Sequence, residues 1–513
     1  MINGLRFGLV LATVLVAAYY GALHWAVLQI PHPITQDEPG FIEITAAGNA
    51  YTDDHLKTCG NVYGPGYPFF ARPFTALIAN PYLAHRWANT VALVLTLGLL
   101  GWLLRREGVG RIETAGALVI VYALNVSSHS LAASADLLAA ALGFGAMVAG
   151  RRGTWPALAV CLALTVLGGL TKLYAAFGWL VVASHLVFFA PRAQSLAFLG
   201  VSALVALLCA ALLDRFAPGY FLSTLVVHWA ATTPSFAVWR DQAVEFALLT
   251  CGLVALALWG RPRRRTFSRA AGQAPVSPPV DLWPWAAFWA AVLLLGKLGW
   301  HAGNYLVYYY HLLLLPLVIV AARRIKEWPR VSRVLLVANL VVLGWQLPPL
   351  PGNSHWASLE RNVAAVIGPV LAEPLFEPLT AIHPNLELFE HGQTASILQA
   401  LDHLGPATPP RYQAMRQSLL QDAEATRARI AAGEFAAIYL AYQHLRGQAV
   451  WTYDRERFAQ AAEAHYQPVG EIRFYPYCAP FWDRKQHGRY AFHVMKWVPK
   501  RPSHPAGDPA PLR

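Results

Sequence analysis

Long apolar runs fill the chain up to about residue 348 and constrain its fold more than any other feature. A helix that crosses a bilayer needs about 17–25 mostly apolar residues. The sequence therefore predicts an α-helical polytopic membrane protein with about eleven transmembrane helices. The eleven runs occupy residues 5–30, 83–104, 112–128, 131–149, 154–171, 173–190, 195–213, 243–260, 282–300, 305–322 and 332–347.

Composition supports a membrane protein. Hydrophobic residues make up 56% of the 513 residues and charged residues 13%, whereas soluble domains are about 25% charged. The net charge of +12 would suggest a nucleic-acid partner in a soluble protein. Here the basic residues of the apolar part lie in short loops between apolar runs, which is a topology signal. We therefore expect a lipid bilayer and no nucleic acid as the partner.

The basic loops alternate along the chain and predict its orientation. Loops rich in Lys and Arg face the cytoplasm, so the N-terminus is expected inside and the loops 31–82 and 214–241 outside. The first run is longer than a signal-peptide core and no small-residue cleavage site follows it, which indicates a signal anchor. The basic loops contain Arg105, Arg106 and Arg111, Arg151 and Arg152, Arg192, residues 261–269 and residues 323–333.

The composition changes at about residue 349, where charged residues increase and periodic patterns replace continuous apolar runs. Alternating strand and helix patterns predict a small α/β domain. We expect a transmembrane domain over 1–348, whose first external loop is 31–82, and an extracytoplasmic α/β domain over 349–513. Strands are predicted at 363–372, 435–442, 472–475 and 490–496, and helices at 418–432 and 455–464.

The first external loop carries the most unusual chemistry of the chain. Asp37 and Glu38 are adjacent where the chain leaves the first apolar run, and ionised groups so close to hydrocarbon are costly and often functional. The loop ends in VYGPGYPFF from Val62, whose glycines and prolines predict a shaped turn and whose Tyr63 and Tyr67 suit an interface. We interpret this loop as a catalytic face; the alternative for Asp37 is a simple helix cap.

Further ionisable residues at the edges of apolar runs are predicted on the same outward face. They are Asp136, Lys172, Lys297 and His301. Each alone could be an interfacial side chain that snorkels to water, but their convergence with Asp37 and Glu38 favours one shared site. The structural alternative of interfacial anchors stays open for each lysine.

An outward site with carboxylates and lysines suits group transfer from a lipid phosphate. Neither ATP nor a soluble nucleotide sugar is available outside a bacterial membrane, so a phospholipid carrier is the natural activated donor. Lysines would stabilise the leaving phosphate, and a carboxylate would accept the proton of an acceptor hydroxyl. This logic favours glycosyl transfer and leaves phosphoethanolamine or acyl transfer open.

Two rivals come from other classes. A transporter or flippase of a lipid-linked saccharide would be expected to show internal repeats and ionisable residues at mid-membrane, and the sequence has no evident repeat. An inactive scaffold whose C-terminal domain binds a partner is the other alternative.

Three segments together resemble the GT-C superfamily of membrane glycosyltransferases, in the branch that contains the protein O-mannosyltransferases and the lipid A aminoarabinose transferase. The resemblance covers about residues 5–325. Ser134-Ala-Asp136 lies where many members have Arg-x-Asp, and the acidic residue that often follows Asn-Tyr is absent here. The segments are Asp37-Glu38 with VYGPGYPFF, GGLTKL from Gly168, and KLGWHAGNY from Lys297.

The resemblance implies an inverting, single-displacement transfer from a polyprenyl-phosphate sugar to a glycan, lipid or protein acceptor in the inner membrane of a bacterium, with a periplasmic C-terminal domain. Asp37 would be the general base, and Glu38 would position the base or the acceptor. Lys172 and Lys297 would hold the donor phosphate. His301 and Asn304 would lie near that phosphate, while Asp136, Tyr63 and Tyr67 would position substrate. A divalent metal, to which Asp136 would contribute, is possible; no cofactor is certain.

Cysteine spacing predicts no zinc site among the five cysteines. Cys59 and Cys478 are both expected outside, where thiols oxidise. A disulfide between them is a hypothesis.

Overall fold

The computed structural model describes residues 2–31, 38–48, 51, 63–127, 131–132, 134–217, 219–226, 236–259, 283–297, 310–345, 347, 354–373, 376–380, 382–389, 394–442, 455–474 and 492–500. The chain divides into two compact units. The first unit is Met1–Thr52, Asn61–Pro351 and Tyr477–Gln486, and the second is Asp53–Gly60, Gly352–Pro476 and His487–Arg513.

The first unit is helical, and a helix lies over each of the eleven apolar runs. Whether all eleven cross a membrane stays a prediction. The helices are α1 (Ile2–Val27), α2 (Glu38–Ala47), α3 (Gly66–Leu77), α4 (Pro81–Arg106), α5 (Arg111–Ser127), α6 (Asp136–Gly150), α7 (Trp155–Gly169), α8 (Phe177–Phe189), α9 (Arg192–Phe216), α10 (Phe236–Leu249), α11 (Cys251–Leu258), α12 (Trp283–Lys297), α13 (Tyr310–Glu327) and α14 (Pro329–Trp345).

Three helices in the described ranges are both long and apolar enough to cross a membrane: Gly4–Val27, Pro81–Arg106 and Arg192–Phe216. The last has a mean hydropathy of 2.7, yet only 11% of its apolar window is buried. An exposed apolar surface of this extent is that of a helix facing lipid. Shorter apolar helices occur at Asp136–Gly150, Trp155–Gly169, Leu173–Phe189 and Pro284–Leu293.

Local sequence explains the ends of α4. The side chain of Asn80 accepts a hydrogen bond from the backbone N–H of Leu83 at 3.1 Å, and Pro81 occupies the first turn. An Asn cap followed by proline is a favourable helix start. Arg105 and Arg106 lie in the last turn, where a cation interacts favourably with the helix dipole.

Small residues let the helices of the first unit approach closely. A Cβ on Gly178 of α8 would overlap the carbonyl oxygen of Gly143 in α6. Close approach at small residues is a common way for membrane helices to associate. The tight contact fixes the segment before α8, which carries part of the candidate site.

The eighth apolar run is broken at Thr250, between α10 and α11. Asn339 of α14 accepts hydrogen bonds from the backbone N–H of Gly252 at 3.1 Å and of Leu253 at 3.4 Å, and donates to the carbonyl of Leu249 at 2.8 Å. A helix end buried in an apolar environment needs such partners. Asn339 therefore stabilises a break that periodicity alone does not predict.

The second unit contains a five-stranded sheet in the order β2-β1-β3-β5-β4. β1 pairs parallel with β2 and β3, while β5 pairs antiparallel with β3 and β4. Both faces of the sheet are covered, because Val370 and Leu371 belong to separate buried clusters. The elements are α15 (Ser354–Ala364), β1 (Val370–Ala372), α16 (Glu377–Thr380), β2 (Leu386–Leu388), α17 (Thr394–Leu404), α18 (Pro410–Ala431), β3 (Ala437–Tyr442), α19 (Arg455–His465), β4 (Tyr466–Phe474) and β5 (Phe492–Pro499).

The strand predicted over 363–372 is wrong in its first half. Residues up to Ala364 belong to α15, whose Leu359 and Val363 are buried on one helix face. Gly368 then adopts a φ of +117°, a conformation that favours glycine. The strand begins only after this turn, at Val370.

Candidate functional site

Five of the predicted site residues have described side chains: Glu38, Tyr63, Tyr67, Asp136 and Lys172. Lys297 is the last residue of α12, and its side chain is outside the described part of the chain. The functional roles of all the predicted site residues, described or not, stay predictions. Asp37, His301, Asn304, Cys59 and Cys478 lie outside the described residues.

Lys172 and Asp136 form an ion pair. The Lys172 Nζ lies 2.6 Å from Asp136 Oδ1, and the two side chains are 11% and 5% exposed. Asp136 is the first residue of α6, where the helix dipole favours a negative charge. Tyr174 donates its hydroxyl to the same carboxylate oxygen at 2.6 Å. The carboxylate thus accepts two short hydrogen bonds.

Two aromatic rings face the Lys172 ammonium. Its Nζ lies 4.5 Å from the centroid of the Tyr63 ring and 5.2 Å from that of the Tyr174 ring. Such distances allow cation–π attraction. Tyr63 also stacks on Phe41 of α2, with centroids 5.0 Å apart and an interplanar angle of 16°. Tyr63 therefore contacts both Lys172 and α2, the helix that begins at Glu38.

Glycines bring the segment before α3 against the turn after α7. The backbone N–H of Gly64 donates to the carbonyl of Thr171 at 3.2 Å, and that of Gly66 donates to Leu170 at 2.9 Å. A Cβ on Gly64 would overlap the Leu170 carbonyl oxygen. The VYGPGYPFF and GGLTKL segments, far apart in sequence, are thus directly in contact.

Glu38 is completely buried and paired with Arg86 of α4. The Arg86 guanidinium donates from Nε to Glu38 Oε1 at 3.0 Å and from Nη2 to Oε2 at 2.8 Å, and both side chains are 0% exposed. The sequence alone does not single out Arg86 as a site residue. The available signal is an arginine in the second turn of an apolar helix, which is also the pattern of a snorkelling interfacial residue.

Tyr67 lies in the interior beside this pair. It is fully buried, packs edge-on against Phe41 with centroids 5.3 Å apart, and shares a 3.1 Å hydrogen bond with Nδ1 of His85. Burial, and secondly the Glu38 carboxylate, raise the pKa of the Tyr67 phenol well above its usual value. The phenol therefore stays protonated. Its predicted role in substrate positioning stays a prediction.

An apolar cavity of about 10 Å³ lies beside Tyr174. This is room for about one water molecule, so the cavity is too small for an isoprenoid chain. Tyr174 also donates its hydroxyl to Asp136. The lining residues are Ala139, Ala140 and Gly143 of α6, Tyr174, Ala175, Phe177 and Leu315.

Metal binding finds no support in the described ranges. Within them, no group of three or more His, Cys, Asp or Glu side chains could hold a metal ion. The predicted contribution of Asp136 to a metal stays a prediction.

Comparison with solved structures shows a similarity to two crystal structures. The crystal structures of ArnT from Cupriavidus metallidurans in the apo state and bound to undecaprenyl phosphate each align with a TM-score of 0.42, at 13% and 14% identity. Each alignment covers 94% of this chain and 97% of that chain. No protein-family model matches the sequence, and no curated protein matches it. Similarity at this level leaves membership of a family a proposal.

Proposed function

We propose that the chain is an integral membrane glycosyltransferase of the GT-C type, which transfers a sugar from a polyprenyl-phosphate donor to an extracytoplasmic glycan, lipid or protein. The main support is the position of Lys172, a cation that is paired with Asp136 and has two aromatic neighbours. An ammonium group suits the anionic headgroup of a lipid phosphate. The sequence resemblance to GT-C enzymes points the same way.

The proposed reaction is a single displacement at the anomeric carbon. The acceptor hydroxyl attacks this carbon while the Asp37 carboxylate takes its proton, which is general base catalysis. The bond between the anomeric carbon and the phosphate oxygen breaks, and its electron pair leaves with the polyprenyl phosphate. Lys172 and Lys297 stabilise the charge that develops on this leaving group, with His301 and Asn304 close by, and the configuration inverts.

In this scheme the Asp136 carboxylate competes with the donor phosphate for Lys172. An ammonium group carries three donors, and Asp136 accepts a 2.6 Å hydrogen bond from it. A phosphate that binds replaces this carboxylate or joins it. Tyr174 donates to Asp136 independently of Lys172, so it would keep the carboxylate in place during the exchange.

The proposed location is the inner membrane of a bacterium, with the N-terminus in the cytoplasm and the second unit in the periplasm. The apolar surface of α9 supports a membrane location. Orientation rests on the alternation of basic loops.

Native mass spectrometry with undecaprenyl phosphate tests the donor site. We expect the wild-type protein in detergent to retain one lipid and Lys172→Ala to retain much less of it at the same lipid concentration. Lys326→Ala, an exposed lysine in the last turn of α13, is the charge-matched control and should retain it. Equal retention by all three proteins would contradict the donor site and favour a structural role for Lys172.

Transfer activity tests the rest of the proposal. Wild-type protein and Asp37→Asn would be incubated with radiolabelled polyprenyl-phosphate sugars and cell-envelope acceptors. We expect transfer only by the wild type, because an amide does not accept the proton. Full activity of Asp37→Asn would remove the base assignment, and movement of intact donor across vesicles without transfer would favour a flippase.

A further inference from the structure

Arg86 is a fully buried charge inside the first unit. A buried cation is costly unless it is paired and its hydrogen-bond donors are satisfied. The two hydrogen bonds to Glu38 form the fork-to-carboxylate arrangement that is specific to arginine. Arg86 and Glu38 are both 0% exposed. Contacts this complete indicate that Arg86 does more than keep one charge inside the protein.

The third guanidinium nitrogen binds the end of a different helix. Arg86 Nη1 donates to the carbonyl of Val27 at 3.2 Å and also to the carbonyl of Ile30. The last carbonyls of a helix lack partners within it, so Arg86 caps the C-terminal end of α1. One side chain of α4 thus binds both the last turn of α1 and the first residue of α2.

Neighbouring contacts strengthen the same attachment. Asn80, at the start of α4, donates to the carbonyl of Pro31 at 3.0 Å. His24 of α1 contacts Thr90 of α4 at 2.9 Å and Tyr122 of α5 at 3.1 Å. The first half of α4 therefore holds the chain at α1, at Pro31 and at Glu38. Asp37 is the residue immediately before the last of these attachment points.

We propose that Arg86 is a positioning residue for the transfer reaction, which holds Glu38, the neighbour of Asp37 in sequence, against the end of α1. This inference rests on the proposed function, in which Asp37 is the base. It also assigns Glu38 to the positioning of the base and not to contact with the acceptor, because both carboxylate oxygens of Glu38 bond to a buried guanidinium.

A second buried ion pair in the same unit is a matched control. Arg333 of α14 donates from Nε to Glu113 of α5 at 2.6 Å, and the two side chains are 9% and 6% exposed. Loss of either pair should destabilise the protein, because breaking a buried ion pair leaves a charge without its partner. Only the Arg86 pair adjoins Asp37 in sequence, so only its loss should change the chemical step.

The experiment compares Arg86→Lys, Glu38→Gln and Arg333→Lys by steady-state kinetics on the donor that the wild type uses, with undecaprenyl phosphate binding measured on the same samples. Arg86→Lys should lower kcat about 10- to 100-fold, the scale of a misplaced catalytic group, with KM and lipid binding nearly unchanged. Glu38→Gln should lower kcat less, because glutamine still accepts one hydrogen bond.

The Arg333→Lys control and a double variant, compared with Arg86→Gln, separate positioning from stability. Arg333→Lys should lower the thermal unfolding temperature but leave kcat within about 2-fold, because it lies on a different helix pair. The double variant Arg86→Gln/Glu38→Gln should lose no more activity than Arg86→Gln alone, because residues that act as one unit are not additive.

Each other outcome overturns the inference. An unchanged kcat in Arg86→Lys, or an equal loss in Arg333→Lys, would leave Arg86 a purely structural residue. A raised KM with unchanged kcat would mean that the pair affects substrate binding instead. A wild-type protein that uses no donor would contradict the proposed function itself, and the positioning role would fall with it.

Discussion

The two ion pairs of the candidate site differ in burial and in geometry. Glu38–Arg86 is fully buried, with two hydrogen bonds between the same two groups and further bonds to the end of α1. Asp136–Lys172 has one hydrogen bond between its charges and two aromatic rings around the cation, and it remains 5% and 11% exposed. Arginine suits fixed, bidentate contacts, whereas lysine is a compact charge on a flexible stem. The first pair is therefore fixed at the end of α1, whereas the proposed function requires the second pair to exchange partners.

The largest expected effect is on stability. Arg86→Met should lower the free energy of unfolding by about 3–5 kcal/mol, because it leaves the Glu38 carboxylate buried without its partner. Thermal unfolding in detergent, followed by tryptophan fluorescence, measures it. Arg72→Met removes an exposed arginine of α3 and should change stability by no more than about 0.5 kcal/mol. Similar values for both variants would show that the buried pair contributes little.

The second effect is on lipid binding. Lys172→Ala should weaken undecaprenyl phosphate binding about 10- to 100-fold, because a hydrogen bond to a charged group contributes about 1.5–3 kcal/mol. Titration monitored by native mass spectrometry gives the dissociation constants. Arg86→Lys should bind the lipid as the wild type does, and a weakened affinity in that variant would erase the distinction between the two pairs.

The third expected effect is tighter lipid binding, which is opposite in sign to the second effect. Asp136→Asn should tighten undecaprenyl phosphate binding about 3- to 10-fold, because it removes the carboxylate that competes for Lys172, a coupling of about 1 kcal/mol. The same titration tests it, with Asp402→Asn in the second unit as the control. Weaker binding would mean that Asp136 orients the lysine toward the phosphate and does not compete with it.

A backbone contact provides the fourth test. Gly64→Ala should lower stability by about 1–3 kcal/mol and also weaken lipid binding, since its Cβ would push against the Leu170 carbonyl beside Lys172. Gly200→Ala, where a Cβ on α9 meets nothing within 4 Å, should be neutral or slightly stabilising. Loss of stability with unchanged lipid binding would show that the contact is not part of the donor site.

The smallest expected effect is that of the Tyr63 ring, which contacts the Lys172 ammonium. Tyr63→Leu should weaken lipid binding by about 0.5–1 kcal/mol, the contribution of one cation–π contact. Tyr63→Phe retains the ring and should bind almost as the wild type does. An equal loss in both variants would assign the effect to the hydroxyl instead of the ring.

Much of the helical architecture follows from the sequence because apolar runs have a characteristic length in a membrane. Helices lie over all eleven runs, and α18, α19, β3 and β5 lie at the patterns predicted for the C-terminal region. The approach of Gly64 to Leu170 was not predictable, because it joins segments more than a hundred residues apart. The nearby glycines and prolines indicated only that the turn would be tight.

The sequence singles out Asp136 and Lys172 as candidate site residues, whose roles stay predictions, but it does not predict the side chains that contact them. Asp136 and Lys172 were each selected as charges at the edge of an apolar run, and the structure pairs them. Arg86 and Tyr174 were missed, because an arginine near a helix end and a tyrosine near an interface are both common in membrane proteins. Their importance depends on a tertiary contact, which sequence spacing within one helix does not encode.

The two edge strands of the sheet in the second unit affect whether another chain can add a strand to that sheet. β4 contains Pro468, which has no backbone N–H, and its pairing with β5 is irregular between Pro468 and Gly470. At the opposite side, β2 spans only three residues. A foreign strand needs a long, regular row of free donors and acceptors to add to a sheet. The sheet therefore offers a poor template for strand addition by a second copy of this unit.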